Sequence, residues 1–316
     1  MLPDQTSRAK GTNRRAATLL TVGAAAAALA TLAVTRPAPA SSAAGAGDTA
    51  SIQRQYGPAM RVGNGQARTY VLYDRRSGGA PLEVGIALDE RAFDGLPAPN
   101  PQAAAHANAG GHEHLDNHVY LLDLPARGVA PFKFVELDWN PGGHEPPGVY
   151  DEPHFDFHFY TVPASVRSTI VPSDSQFQQK ADNLPPERER APFYAMAAPP
   201  GAPAPAVPLM GVHWIDTRSP ELQKMFGNPA AWRPFTTTFL FGSWDGRVTF
   251  LEPMITRAHI LAKKTAADPA VRDEVIPVPT APAVGAAGYY PSAYRIAWDA
   301  EAEEYHIALT RLARRD

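Results

Sequence analysis

The sequence predicts a mainly β protein, organised as a single antiparallel β-barrel-like domain with a few short helices. Three observations carry that expectation. Several short stretches alternate apolar and polar residues with a period of two, most clearly Pro153–Tyr160. Turn residues (Gly, Pro, Asn, Asp) separate these stretches. No strand–helix–strand alternation is visible, so a parallel sheet is disfavoured.

The chain opens with a basic segment ending at Arg14-Arg15, an apolar run from Ala16 to Val34, and Ala38-Pro39-Ala40. This order reads as a cleaved export signal over residues 1–40, which places the protein in the periplasm or outside the cell. A retained single-span anchor is the alternative, but the Ala-rich run is weakly hydrophobic and the small-residue site favours cleavage. No stable membrane span is then expected after processing. The chain has no Cys, so neither a lipoprotein anchor nor disulfides contribute. Net charge is −3, and the signal holds five basic residues against Asp4 alone, so the remainder is more acidic still. That balance argues against nucleic acid as a partner.

Residues 41–52 form an Ala/Gly/Ser linker, and 53–316 the single domain. Within it, Ala67–Tyr73 and Leu82–Ala87 read as strands, and Asp89 to Leu96 as a short helix. Pro97–Gly111 is a loop, leading to the cluster His112-Glu113-His114, Asp116 and His118. This cluster reads as a solvated segment more readily than as a second metal site. His118–Leu124 and Phe132–Trp139 are the next strands.

The stretch His154-Phe155-Asp156-Phe157-His158-Phe159-Tyr160 has two unlike faces. As a strand, it turns three Phe to one side and His154, Asp156, His158 and Tyr160 to the other. Two imidazoles, a carboxylate and a phenol are not the polar face of an ordinary solvated strand. Residues two apart lie ~6.7 Å apart and residues four apart ~13 Å. Asp156 can therefore share an ion with either histidine, whereas His154 and His158 share one only with both side chains stretched. Further ligands must come from elsewhere. The preceding loop, Trp139–Tyr150, carries three Pro and three Gly and is rigid enough to hold His144 over this face.

Val162–Ile170 reads as a helical turn carrying Arg167, and 171–208 as a long Pro/Ala-rich excursion with little regular structure. Leu209–Asp216 is a strand whose His213 lies opposite in phase to Val212 and Trp214. Ser219–Phe226 reads as a short helix capped by Ser219. Phe235–Phe241 and Arg247–Leu251 form a hairpin about Asp245-Gly246, with Glu252 placed at the strand end. Ala293–Trp298 and Tyr305–Leu312 form the last pair.

Taken together, Glu136–Pro141, Gly143–Tyr150, Pro153–Tyr160, Met210–Trp214 and Glu252–Thr256 resemble a family of exported bacterial proteins whose founding member is sigma-E-controlled. The resemblance covers roughly Tyr70–Leu261. It implies an oligomeric β-barrel, and hence a homo-oligomer, without supplying a reaction.

The leading functional expectation is a divalent-metal-binding protein linked to envelope stress. Its candidate ligands are His144, His154, Asp156, His158, His213 and Glu252. Imidazole and carboxylate without thiolate suit Zn, Mn, Fe or Cu. One alternative is a metal-dependent hydrolase, lyase or oxygenase acting on a small molecule, with Tyr160 or Glu145 as acid/base and Arg167 holding an anion. The other is a metal-free structural or binding oligomer. A single site requires His144, His154, His158, His213 and Glu252 to face one shared cavity.

Overall fold

The computed structural model describes residues 51–100, 117–199 and 201–316. The expected signal over 1–40, most of the linker, and His112, Glu113, His114 and Asp116 lie outside these residues.

In chain order the strands are β1 (Ile52–Val62), β2 (Gly65–Asp74), β3 (Ala80–Asp89), β4 (His118–Asp123), β5 (Phe134–Asn140), β6 (His154–Tyr160), β7 (Tyr194–Met196) and β8 (Ala206–Val207). There follow β9 (Gly211–Asp216), β10 (Thr237–Trp244), β11 (Arg247–Thr256), β12 (Asp273–Pro277), β13 (Gly288–Tyr290), β14 (Ala293–Asp299), β15 (Glu304–Thr310) and β16 (Ala313–Arg315). Among the described residues, four short helices accompany them: α1 (Ala164–Arg167), α2 (Phe177–Asp182), α3 (Arg257–Thr265) and α4 (Pro269–Arg272).

Most of the strands form two large antiparallel sheets, and β13 and β16 pair with each other in a third, two-stranded sheet. Of the large sheets, one runs β1-β2-β3-β15-β14-β12, the other β4-β5-β6-β11-β10-β9-β7 with β8 added at β9. Both sheets are open, so the expected barrel is not closed. Each sheet ends on its own edge strands, β1 and β12 in the first, β4 and β7 in the second. The sheets meet instead across a shared apolar core. Val71, Val84, Ile86, Ile296 and Ile307 come from one, and Val135, Leu137, Phe155, Phe157, Phe159 and Ile255 from the other. Closure is unnecessary because each inner face already has an apolar partner.

Alternation along β5 and β6 sets the second sheet's two faces. Leu137, Trp139 and the three Phe of β6 enter the shared core, while Glu136, Asp138, Asn140 and His154–Asp156–His158 take the opposite face. That outer face is also buried, because loops and turns from 141–153, 162–210 and 217–236 pack over it. All seven residues of β6 are buried on both sides.

Several local expectations change. Asp89–Leu96 contains only a 3₁₀ turn, Glu90–Phe93, capped by Asp89 Oδ1 accepting from Ala92 N–H at 2.9 Å. The Ser219 helix is likewise one 3₁₀ turn, Pro220–Leu222, and the Ser219 hydroxyl makes no cap bond because it meets Thr238 Oγ1 at 3.2 Å. The 171–208 excursion includes α2, β7 and β8. β11 continues past Glu252 to Thr256, so Glu252 lies within the strand. The Asp245-Gly246 turn is as expected, both residues having positive φ (47° and 76°). β1, α3 and β12 were not anticipated. Among the described residues, no helix is long and apolar enough to cross a membrane.

Candidate metal centre

The outer face of β6 is a row of buried polar groups sealed at both ends by apolar side chains. Tyr150, Phe235, Leu240 and Met254 pack at one end, and Phe134, Tyr160, Met210 and Phe250 at the other. The register explains the row. Asp156 pairs with Asp138 on β5 and Met254 on β11, His154 pairs with Asn140 and Thr256, and Glu136 pairs with His158. The β6–β11 pairing is interrupted at Glu252 and Pro253, where Pro253 has no N–H to donate.

Three ligand groups occupy this row: His144, His154 and Asp156; His158, His213 and Glu252; and Glu136, Asp138 and His158. Within each, the potential ligand atoms all lie within 4.8 Å of one another. All six residues singled out as ligands are thus on one face, resolved into two His₂-carboxylate trios.

The first trio is built around Asp156. His154 Nε2 stands 3.2 Å from Asp156 Oδ1, and His144 Nε2 stands 3.4 Å from Oδ2. Two ligands ~2.1 Å from one ion are about 3.0–3.4 Å apart in octahedral or tetrahedral geometry. The far nitrogens are fixed by backbone carbonyls: His144 Nδ1 lies 2.7 Å from Glu145 O, and His154 Nδ1 lies 2.6 Å from Glu152 O. Each Nδ1 donates its proton to that carbonyl, which turns Nε2 toward Asp156. Asn140 Nδ2 donates to Asp156 Oδ2 at 2.8 Å and holds the carboxylate in place.

In the second trio, His158 Nε2 is 3.4 Å from Glu252 Oε1, and His213 Nε2 is 3.7 Å from Oε2. His158 Nδ1 faces Asp138 Oδ2 at 4.0 Å.

The electrostatics of the row follow from burial. Burial would raise the Asp156 carboxyl, but the charge of His154 and hydrogen bonding from His144 and His154 hold it well below the usual carboxylate range. Burial opposes charge on His144, yet bonding to Asp156 outweighs it and raises that imidazole. His158 is pushed down to about 4, chiefly by burial, so it is neutral at pH 7 and its ring nitrogens can ligate. Glu252 and Asp138 are driven well above the usual range by burial and by neighbouring carboxylates.

Tyr160 is fully buried, stacks on Phe134 at 4.6 Å and donates to Leu209 O at 3.3 Å. Arg167 forms a buried ion pair with Glu136, Nη2 to Oε1 at 2.6 Å. Glu145 is half-buried beside His144, and its Oε1 makes no hydrogen bond.

The sequence reading missed Glu136, Asp138 and Asn140 as members of the row. Their signal was the same period-two alternation, Glu136-Leu137-Asp138-Trp139-Asn140, one strand earlier.

Fold and site together define a mainly β, antiparallel protein with buried His/Asp/Glu groups that could hold a metal ion. Comparison of the chain with protein-family models, curated proteins and solved structures gives no match.

Proposed function

We propose that this is an exported divalent-metal-binding protein whose ion lies between His144, His154 and Asp156. One observation carries the reading. Two imidazoles from different elements are each locked through Nδ1 to a backbone carbonyl, and both turn Nε2 to the same buried carboxylate. The spacings, 3.2 Å from His154 Nε2 to Asp156 Oδ1 and 3.4 Å from His144 Nε2 to Oδ2, are those of ligands about one ion. Imidazole and carboxylate donors suit Zn, Mn, Fe or Cu. The N-terminal segment supports export, and the family resemblance supports a homo-oligomer and a link to envelope stress.

A metal-dependent enzyme is the second reading. Three protein ligands leave a coordination position open, as catalytic sites do. Glu145 is the acid/base candidate nearest this centre, being adjacent in sequence to His144.

The deciding experiment is elemental analysis of the purified mature protein, with Asp156→Asn as control. Stoichiometric divalent metal in the wild type and its reduction in the variant are expected. A metal-free wild type that binds no Zn, Mn, Fe or Cu on addition would leave the structural-oligomer reading in the lead.

A further inference from the structure

Resting on the first centre, we propose a second and independent divalent-ion site formed by His158, His213 and Glu252. An ion between His144, His154 and Asp156 leaves this trio untouched. His154 and His158 are four residues apart on one strand, ~13 Å, so one ion does not serve both.

The second trio carries its own unmet demand. His158 is 1% exposed, and neither of its ring nitrogens makes a hydrogen bond; Glu252 is likewise 1% exposed, and its Oε2 makes none either. Buried polar atoms without partners are costly, and of these His158 Nε2 and the Glu252 carboxylate lie together with His213 Nε2. Their separations, 3.4 Å and 3.7 Å, are close to those of ligands around a common ion. On the far side of the His158 ring, Nδ1 faces Asp138 Oδ2 at 4.0 Å, longer than a hydrogen bond.

The local sequence makes room for this geometry. Gly242 pairs with His213 on β9 and with Phe250 on β11. A Cβ at position 242 would stand 2.0 Å from the Phe250 ring, so only Gly lets that ring lie there. The ring meets His158 edge-on, centroids 4.8 Å apart, and lies 5.2 Å from His213. It walls the trio from water and fixes both imidazoles.

Glu136, Asp138, Asp156 and Glu252 are all buried in the row, and Arg167 is committed to Glu136. Two imidazoles and one carboxylate leave a position for water or a small anion on the His213 side, the more exposed edge of the trio.

The test is the Zn²⁺ and Co²⁺ stoichiometry of metal-stripped mature protein, by calorimetric titration and elemental analysis. Wild type should bind two equivalents, and Asp156→Asn and Glu252→Gln one each. His213→Ala, at the partly exposed ligand, should also bind one and serves if Glu252→Gln does not fold. One equivalent that survives both Glu252→Gln and His213→Ala but is lost in Asp156→Asn overturns the second site and leaves the first standing. One equivalent lost in Asp156→Asn and in Glu252→Gln alike means a single shared ion and also overturns it. One equivalent lost only in the Glu252 and His213 variants upholds this site and removes the first. No binding at all removes both.

Discussion

His144 and His154 meet edge to face, ring centroids 4.7 Å apart at 68°, and address opposite oxygens of Asp156. One comes from a Pro/Gly loop and the other from the centre of a sheet, so an ion between them would pin loop to strand. Because the unfolded chain lacks this site, an ion at a hundred times its Kd should stabilise the fold by about 2.7 kcal/mol. Thermal melts with and without added metal should show this increment in the wild type. In Asp156→Asn the increment from the first centre should be missing.

The two faces of β6 should respond differently to truncation. Phe157 is fully buried in the core between the sheets. Phe157→Ala should cost about 3–5 kcal/mol through lost burial and the cavity left behind. His158→Ala in chelator should cost much less, since it removes an imidazole that makes no hydrogen bond. Urea melts of both variants decide this, and a larger loss for His158→Ala would contradict the face assignment.

Gly242→Ala should destabilise by overpacking, about 1–3 kcal/mol, because the new methyl would meet the Phe250 ring. Gly242 does not have positive φ, so the cost is steric and not conformational. Adding Phe250→Leu should therefore recover part of the loss. A double-mutant cycle on denaturation free energies measures the coupling; purely additive effects would exclude the contact.

Away from the metal row, Glu274 ties α3 to β12. Its Oε2 receives His259 Nε2 at 2.7 Å and Lys263 Nζ at 2.5 Å, and Lys263 is buried. The hydrogen bond from His259, against partial burial and together with Lys263, holds the Glu274 carboxyl down to about 2. A carboxyl depressed in the folded state contributes stability above its unfolded pKa and loses it as pH falls through the folded value. Glu274→Gln should thus be destabilising near neutrality, and the gap to wild type should close between about pH 4.5 and 2. Chemical denaturation over that range checks the sign; a gap that widens on acidification would refute it.

Much of the fold was legible because alternation is local. β2, β3, β4, β5, β6, β9, β14 and β15 all fall close to stretches read from period and turn residues, and the Asp245-Gly246 turn announced its hairpin. β1 and β12 were missed because both are half-exposed edge strands: the burial of β1 hardly alternates, and β12 alternates only between exposed and half-buried over Asp-Glu-Val-Ile-Pro, which has no apolar period of two. α3 was missed because a helix following a strand without Gly or Pro between them has no composition break.

What the sequence by itself determined was the two-faced character of β6. The phase of His154, Asp156 and His158 against Phe155, Phe157 and Phe159 is a covalent fact of a strand, independent of what packs on it. What only the tertiary structure decided was closure and partnership. Whether sheets close depends on which inner faces meet, and here two open sheets cover each other. That His144 joins His154, while His213 joins His158 through Glu252, depends on the β6–β11 and β9–β10 registers and on a Gly at 242. Those are long-range pairings, set by the packing of strands far apart in the chain, and no local period encodes them.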